Sequence, residues 1–423
     1  MFARLAASAS RVSGLPDVRH AFLPHPLVNR TVDELRVLVD GQDPVTKRPF
    51  MEGVIDALTR PLPAGVDASL DRRSTPRLVK VQSETDAHEM FRARGWTDQL
   101  PIVLPTEERV AEMLAHTSRS PEETVGYLRP TAYREEWEST VEKVAVNAVM
   151  AGASPEYFPV ILAMAASGVS ARPSSTSSPS RMAVVNGPVR DELEMNSGIG
   201  AMAPFNHANA TIGRAYGLLS QNLQGGSVPE DTYMGSQGNA YSYANVTFPE
   251  NQEASPWEPF HVEHGFAMTD STVSIFGGLN STVYMTGGAR RKYWKENASR
   301  KLAATASLGS VQPPLLVLDP LVAIEFASEG GFSKADLAHW VWENTMIPAG
   351  QFWDEQLVHN NLYPRATNGE EPWASMHRAR PDELIHLFKP EEVQIVVVGG
   401  GTIASWRMMS AQYFGTFSVD EWR

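Results

Sequence analysis

Apolar residues recur along this chain at helical spacing, broken by short dense runs that read as strands. Thr31 and Glu34 stand at capping-box spacing ahead of Leu35, Val37 and Leu38, which predicts a helix there, and a second follows around Val54 to Leu58. Just upstream, Phe22 to Pro26 reads as extended, because each proline pushes its predecessor out of the helical region. Further helices are expected over Glu84 to Arg94, closing at Gly95, over Thr106 to Leu114, and over Val141 to Met150, capped by Ser139 with Glu142. Ser154-Pro155 opens another, with Phe158, Ile161 and Leu162 on its apolar face. Strands are expected at Met182 to Val185, Tyr241 to Thr247, Thr272 to Phe276, Leu315 to Leu318 and Val393 to Val398. Ile212 to Leu219 and Ala335 to Glu343 read as helices, the latter capped by Ser333 with Asp336, whereas Gln351 to Pro364 reads as an ordered polar and aromatic loop.

This alternation predicts an α/β fold of layered helices on a mixed sheet. A short amino-terminal module over 1–62 precedes a main region over 77–423, the latter divisible into two subdomains meeting near 172–181. The length, 423 residues, and an apolar content of 42% allow full hydrophobic cores. The net charge of −13 argues against a broad basic footprint for nucleic acid or anionic lipid. No apolar run reaches the roughly 18 residues of a membrane span, so a soluble, cytoplasmic protein is expected. Cysteine is absent, which removes thiolate nucleophiles, disulfides and Cys-ligated zinc from this chain. The first residues, with Arg4 and Arg11 and no acid before Asp17, have some character of a transit segment and equally that of a short helix.

Candidate chemistry concentrates in Glu250 to Phe266, where four glutamates, two histidines, a tryptophan and two prolines share seventeen positions. With Pro249 and Pro256 opposing a helix until after Pro259, His261 and Glu263 are expected on one face of an extended segment and His264 on the other. A histidine beside a glutamate can pass protons near neutral pH, which makes His261, Glu263, Glu258 and His207 the candidate catalytic groups and Trp257 a substrate contact. A divalent metal on His261, His207 and Glu253 is the alternative chemistry, and a polar packing junction the bland one. Upstream, Asn196 to Gly200 can turn with exposed amides ahead of a helix preceded by Asn206, His207 and Asn209. Such a turn can hold a carboxylate or phosphate, with Arg214 adding positive charge, although Asn209 serves equally well as an N-cap. No dinucleotide or phosphate-loop fingerprint is present. Asp319 and Gly399-Gly400-Gly401 end two strands, where open α/β sheets place ligands.

The strings GLPDVRHAFLPHPLVNRTVDELRVLV and FMEGVIDALTRP resemble the carboxy-terminal tail of the UGSC-motif proteins, a bacterial cysteine or selenocysteine family distantly like glycine reductase component B. Gly95 to Pro101, Pro105 to Val110, Thr140 to Tyr157 and Glu253 to Glu263 resemble the long region associated with that family, with gaps, to about Gly401. The resemblance adds Asp98, Ser177 and Ser178 as substrate contacts, Thr176 and the two serines being the remnant of a pocket loop in a stretch that by composition alone reads equally as a flexible linker. Four departures stand out: Gln99 replaces a glycine, Ala153 a cysteine, the Ser/Pro stretch Arg172 to Arg181 a Thr-Thr-His-Pro loop, and His264 an arginine. The redox motif itself is missing. What the resemblance implies is an oligomeric enzyme subunit, working on a small polar molecule by acid-base or reductive C–heteroatom chemistry with a Cys-rich partner chain. A metal-dependent hydrolase, hydratase or lyase acting alone, and a non-catalytic scaffold, are the alternatives.

Overall fold

We describe the protein from a computed structural model, which describes residues 17–25, 27, 30–61, 76–127, 138–173, 178–223, 237–306 and 312–423, with scattered positions before them. Most of the first fourteen residues, and Ser174 to Ser177 of the Ser/Pro stretch, lie outside the described residues.

In the amino-terminal module the expected capping box is present: Thr31 Oγ1 accepts from Glu34 N, and Glu34 returns a carboxylate to Thr31 N, starting the helix Val32–Val39. A second helix spans Phe50–Thr59. Neither helix contains a buried residue.

The strands are β1 (Thr124–Tyr127), β2 (Glu138–Thr140), β3 (Ser180–Asn186), β4 (Thr247–Pro249), β5 (Thr272–Thr286), β6 (Pro314–Leu318), β7 (Met346–Pro348), β8 (Leu384–His386), β9 (Gln394–Val397) and β10 (Ser405–Ser418). Six of them form one mixed sheet in the order β4-β3-β5-β10-β6-β9. The same arrangement occurs twice: β3 runs parallel to β4 and antiparallel to β5, and β6 runs parallel to β9 and antiparallel to β10. The long strands β5 and β10 pair antiparallel between the halves. Past each parallel pair the register is also repeated, Glu250 N donating to Val185 O (3.0 Å) and Val398 N to Leu318 O (2.9 Å).

The sheet curls until its edges meet, where Asn251 N donates to Val397 O (2.8 Å) and Asn251 Nδ2 to Gly399 O (2.9 Å). Strand side chains alternate between faces, so a barrel needs an apolar residue at every second position to fill it. Met182, Val184, Phe248, Phe276, Leu315, Val317, Val396 and Met409 do this, forming one buried cluster fed by all six strands. The alternate residues face outward. Ala183, Val185, Val273 and Ile275 pack on the helices Val141–Ala151, Phe158–Ala166 and His207–Leu223. Leu316, Leu318, Ile395 and Val397 pack on Trp294–Ala306 and Lys334–Glu343. The α/β class expected from the sequence is the one observed.

Several local expectations are corrected. Thr140, not Ser139, caps the Val141–Ala151 helix, its hydroxyl accepting from Lys143 N. Tyr241 to Thr247 is no strand: a 3-10 turn occupies Ala240–Tyr243, and only Thr247–Pro249 pairs. The polar stretch read as a loop forms two helices, Ala349–Asp354 and Gln356–Thr367, with Phe352 and Val358 buried. Pro259 does not prolong an extended segment; it caps a single helical turn, Phe260–Glu263.

Candidate functional site

The two halves end differently at equivalent points. After β3 comes Asn186, and after β6 comes Asp319. At the first position the long connection 250–271 folds back over the barrel end. Glu250, fully buried, accepts hydrogen bonds from Asn186 Nδ2 (2.6 Å) and Phe260 N (2.7 Å), which seats the Phe260 ring against Phe276 and Tyr413. Lys334, also buried, donates to Glu263 Oε2 (2.8 Å) and Glu258 O (2.9 Å) and lies 3.9 Å from Glu250 Oε1. This ionic lock answers the buried charge of Glu250, which would otherwise be costly. The stretch richest in ionisable groups is therefore a plug.

Within it, His261 is fully buried, and among the described residues neither ring nitrogen has a hydrogen-bond partner of good geometry. Burial pulls its pKa down, partly offset by Glu250 and the Met268 backbone, so the ring is held toward the neutral form. The helical turn carries Glu263 to Lys334 instead of His261, correcting the shared face expected of an extended segment. Burial raises the Glu263 pKa while Lys334 lowers it. His264 stacks on Phe260, its centroid 4.1 Å away, with Nδ1 2.8 Å from Phe260 O. Glu253 holds Arg190 in a two-point ion pair (2.7 and 3.3 Å). Trp257 donates Nε1 to Phe332 O (3.1 Å), and Glu258 is exposed beside an open cleft of about 630 Å³.

The other candidates lie apart from the plug. Asn206, not Asn209, caps the His207–Leu223 helix, Oδ1 accepting from Asn209 N (3.0 Å). Asn209 instead ties down the preceding turn through Asn196 O (2.9 Å) and Ala201 O (3.0 Å). His207 Nδ1 faces the Tyr157 hydroxyl at 3.2 Å. Arg214 and Asp98 bind each other through two 3.0 Å bonds. Asp98 and Ser178 share a cavity of about 540 Å³ with Arg172, and Ser177 lies outside the described residues. Among the described residues no three His, Asp or Glu side chains converge as metal ligands, and His261, His207 and Glu253 keep separate neighbours.

At the second end, the connection 398–404 is short and leaves the barrel mouth to the loop Asn196 to Met202. Gly399 (φ 107°) donates its N–H to Ser197 O (2.8 Å). A side chain on Gly400 would come within 2.9 Å of Ile199 Cγ1, so only glycine lets the two loops approach. A cavity of about 280 Å³ remains, with Asp319, Tyr284, Thr402, Ser405 and Arg407 on its wall. Asp319 Oδ1 accepts from Leu321 N (2.9 Å), the N-cap bond of the Pro320–Ile324 turn. Its Oδ2 makes no hydrogen bond among the described residues and lies 3.4 Å from where a Gly399 Cβ would stand. Burial raises the Asp319 pKa against the opposing Leu321 amide. Arg407 forms no ion pair among the described residues and rests over the Tyr284 ring, 5.2 Å from its centroid. A poised carboxyl and a guanidinium without an ion pair among the described residues thus face one half-open cavity at the ends of the parallel pair β6 and β9. Asp319 and the glycine turn were visible in the sequence as strand-end features, whereas Arg407 sits inside a strand and carries no motif signal. No protein-family model and no curated protein matches this chain.

Proposed function

We propose that the protein is an enzyme that moves a proton on a small polar anionic molecule held at the Asp319 mouth of the barrel. The observation carrying this reading is the buried Asp319 carboxyl, with one oxygen tied to a backbone amide, the other free toward the cavity, and a pKa displaced upward. A carboxyl whose pKa is raised by burial exchanges protons more effectively near physiological pH than an ordinary one. Arg407 anchors the substrate's carboxylate or comparable anion, since a guanidinium without an acidic partner favours such a ligand. Proton-abstracting lyases, hydratases and isomerases share this step, so the reading stays at that class.

The test is incubation in D2O with a panel of small hydroxy-, amino- and keto-carboxylic acids, followed by proton NMR for C–H exchange or new products. Turnover is expected in the parent protein and a loss of at least a hundredfold in Asp319→Asn, in line with the usual contribution of a general acid or base. Undiminished exchange in Asp319→Asn rejects the reading.

A second reading is supported by the amino-terminal module, whose Val32, Val37, Ile55 and Leu58 are 54–81% exposed. Such a surface fits a docked chain, and the UGSC resemblance makes a thiol- or selenol-bearing subunit the natural occupant. Co-purification of a stoichiometric cysteine-bearing chain, lost in Val37→Glu/Leu58→Glu, supports it. Retention of that chain by the double variant speaks against docking here.

A further inference from the structure

The segment Arg290 to Lys301 carries six of the chain's 36 basic residues against one acid, in a protein whose net charge is −13. Its first part lines a cavity of about 740 Å³, with Arg290, Arg291, Lys292, Tyr293 and Asn297 on the wall together with one acid, Glu325. The loop carrying these groups is built. Buried Glu325 accepts backbone bonds from Gly288 N (3.1 Å) and Arg290 N (3.3 Å), so its charge is spent on holding the turn. Gly287 (φ 75°) leaves the space over which Arg291 folds, a Cβ there falling 2.7 Å from Arg291 Cγ. Arg290 is matched by Glu329 at 2.5 Å. Arg291 and Lys292 have no carboxylate partner among the described residues, and Lys292 Nζ lies 5.0 Å from the Tyr293 centroid.

With Glu325 on the same wall, the two unmatched cations still leave it net positive, which calls for an anionic ligand such as a phosphate ester. A long polyanion is disfavoured by the acidity of the rest of the molecule. This cavity shares Ile403 with the Asp319 cavity. We propose that the Arg291/Lys292 cavity binds the phosphate group of a phosphorylated small molecule whose reacting end reaches Asp319 past Ile403. The phosphate site stands on its own observations; only the route to Asp319 rests on the acid-base reading above.

The experiment is isothermal titration of the full chain with pyrophosphate and with inorganic phosphate. Binding is expected in the parent protein, at least tenfold weaker in Arg291→Met/Lys292→Met, and within twofold of the parent in both Asp319→Asn and the distant charge control Lys389→Met. Both substituted cations are exposed, and circular dichroism verifies the fold. No measurable binding at millimolar pyrophosphate, equal binding by the double variant, or equal weakening in Lys389→Met overturns the phosphate site. If pyrophosphate binds as expected while Asp319→Asn keeps proton exchange, the acid-base reading falls and the phosphate site survives. The reach to Asp319 is tested by phosphorylated against unphosphorylated hydroxy acids in the exchange assay. Faster exchange of the phosphorylated compound, with the advantage lost in Arg291→Met/Lys292→Met, supports the route, and no preference overturns it.

Discussion

Asn186 and Asp319 hold the same position in the two halves of the barrel, and their surroundings separate their roles. Asn186 donates to Glu250 under the plug, a neutral partner for a buried carboxylate. Asp319 faces an open mouth, and burial disfavours its charged form. A carboxyl whose folded pKa lies above its unfolded value of about 3.9 supports folding fully below that value, and the contribution is lost as pH rises through the folded pKa. At pH 7 the ionised Asp319 therefore works against the fold, whereas Asn can keep the N-cap bond without the charge. Asp319→Asn is expected to melt higher than the parent at pH 7, with the two melting curves converging toward pH 4. Calorimetry across that range checks this, and a variant less stable at pH 7 would remove the argument that burial strains this carboxyl. Such a gain in stability with loss of activity is what a site under functional strain produces.

The His207–Leu223 helix shows how an element is fixed by what it lacks. Its Gly213 faces the turn before β4, where a Cβ would lie 2.2 Å from Asn245 O and 2.4 Å from Ala244 O, both backbone atoms. At Gly217 the obstructing atoms are side-chain ends, Asn245 Nδ2 at 2.3 Å and Arg172 Nη2 at 2.6 Å. Alanine improves helix propensity by about 1 kcal/mol at either site. At Gly213 overpacking against rigid backbone should outweigh that gain and leave a net loss of about 2 kcal/mol. Gly217→Ala should cost less, because side chains can move. Urea denaturation of the two variants reads the difference, and a Gly213→Ala protein as stable as the parent would contradict this packing. The apolar period revealed the helix, β3, β6, β9 and the first part of β5, because a barrel strand buried on both faces is a dense apolar run, but it missed the long β10, whose polar and glycine positions break the run. It could not reveal the glycine contacts, which depend on a turn distant in sequence. Nor could it show that Glu250 to Phe266 is a plug: His and Glu at that density look alike whether they serve chemistry or a buried ionic lock, and only Lys334, 71 positions from Glu263, distinguishes them.

At the scale of the molecule, one barrel with helical layers outside it accounts for the main region, and the amino-terminal module stands differently. Its helices bury no residue, and its strongest polar contacts close on themselves. Asp43 accepts from Phe22 N, Val45 N and Thr46 N, while Arg19 reaches Arg60 O and Pro61 O. So small a unit is marginal by itself, since it shields too little of its own surface. If the barrel owes nothing to it, a chain lacking residues 1–61 should keep the main calorimetric transition within about 2 °C, the shift that a change of only about 1–2 kcal/mol causes in a body of this size. The full chain should add only a weak, low-temperature transition. A fall of the main transition by more than about 5 °C on truncation would mean that the module braces the barrel, and its exposed Val37 and Leu58 would then no longer point to a separate partner. An unchanged barrel would leave those apolar faces without a structural duty inside this chain, and a docked subunit is then the simplest reason for a −13 protein to carry them.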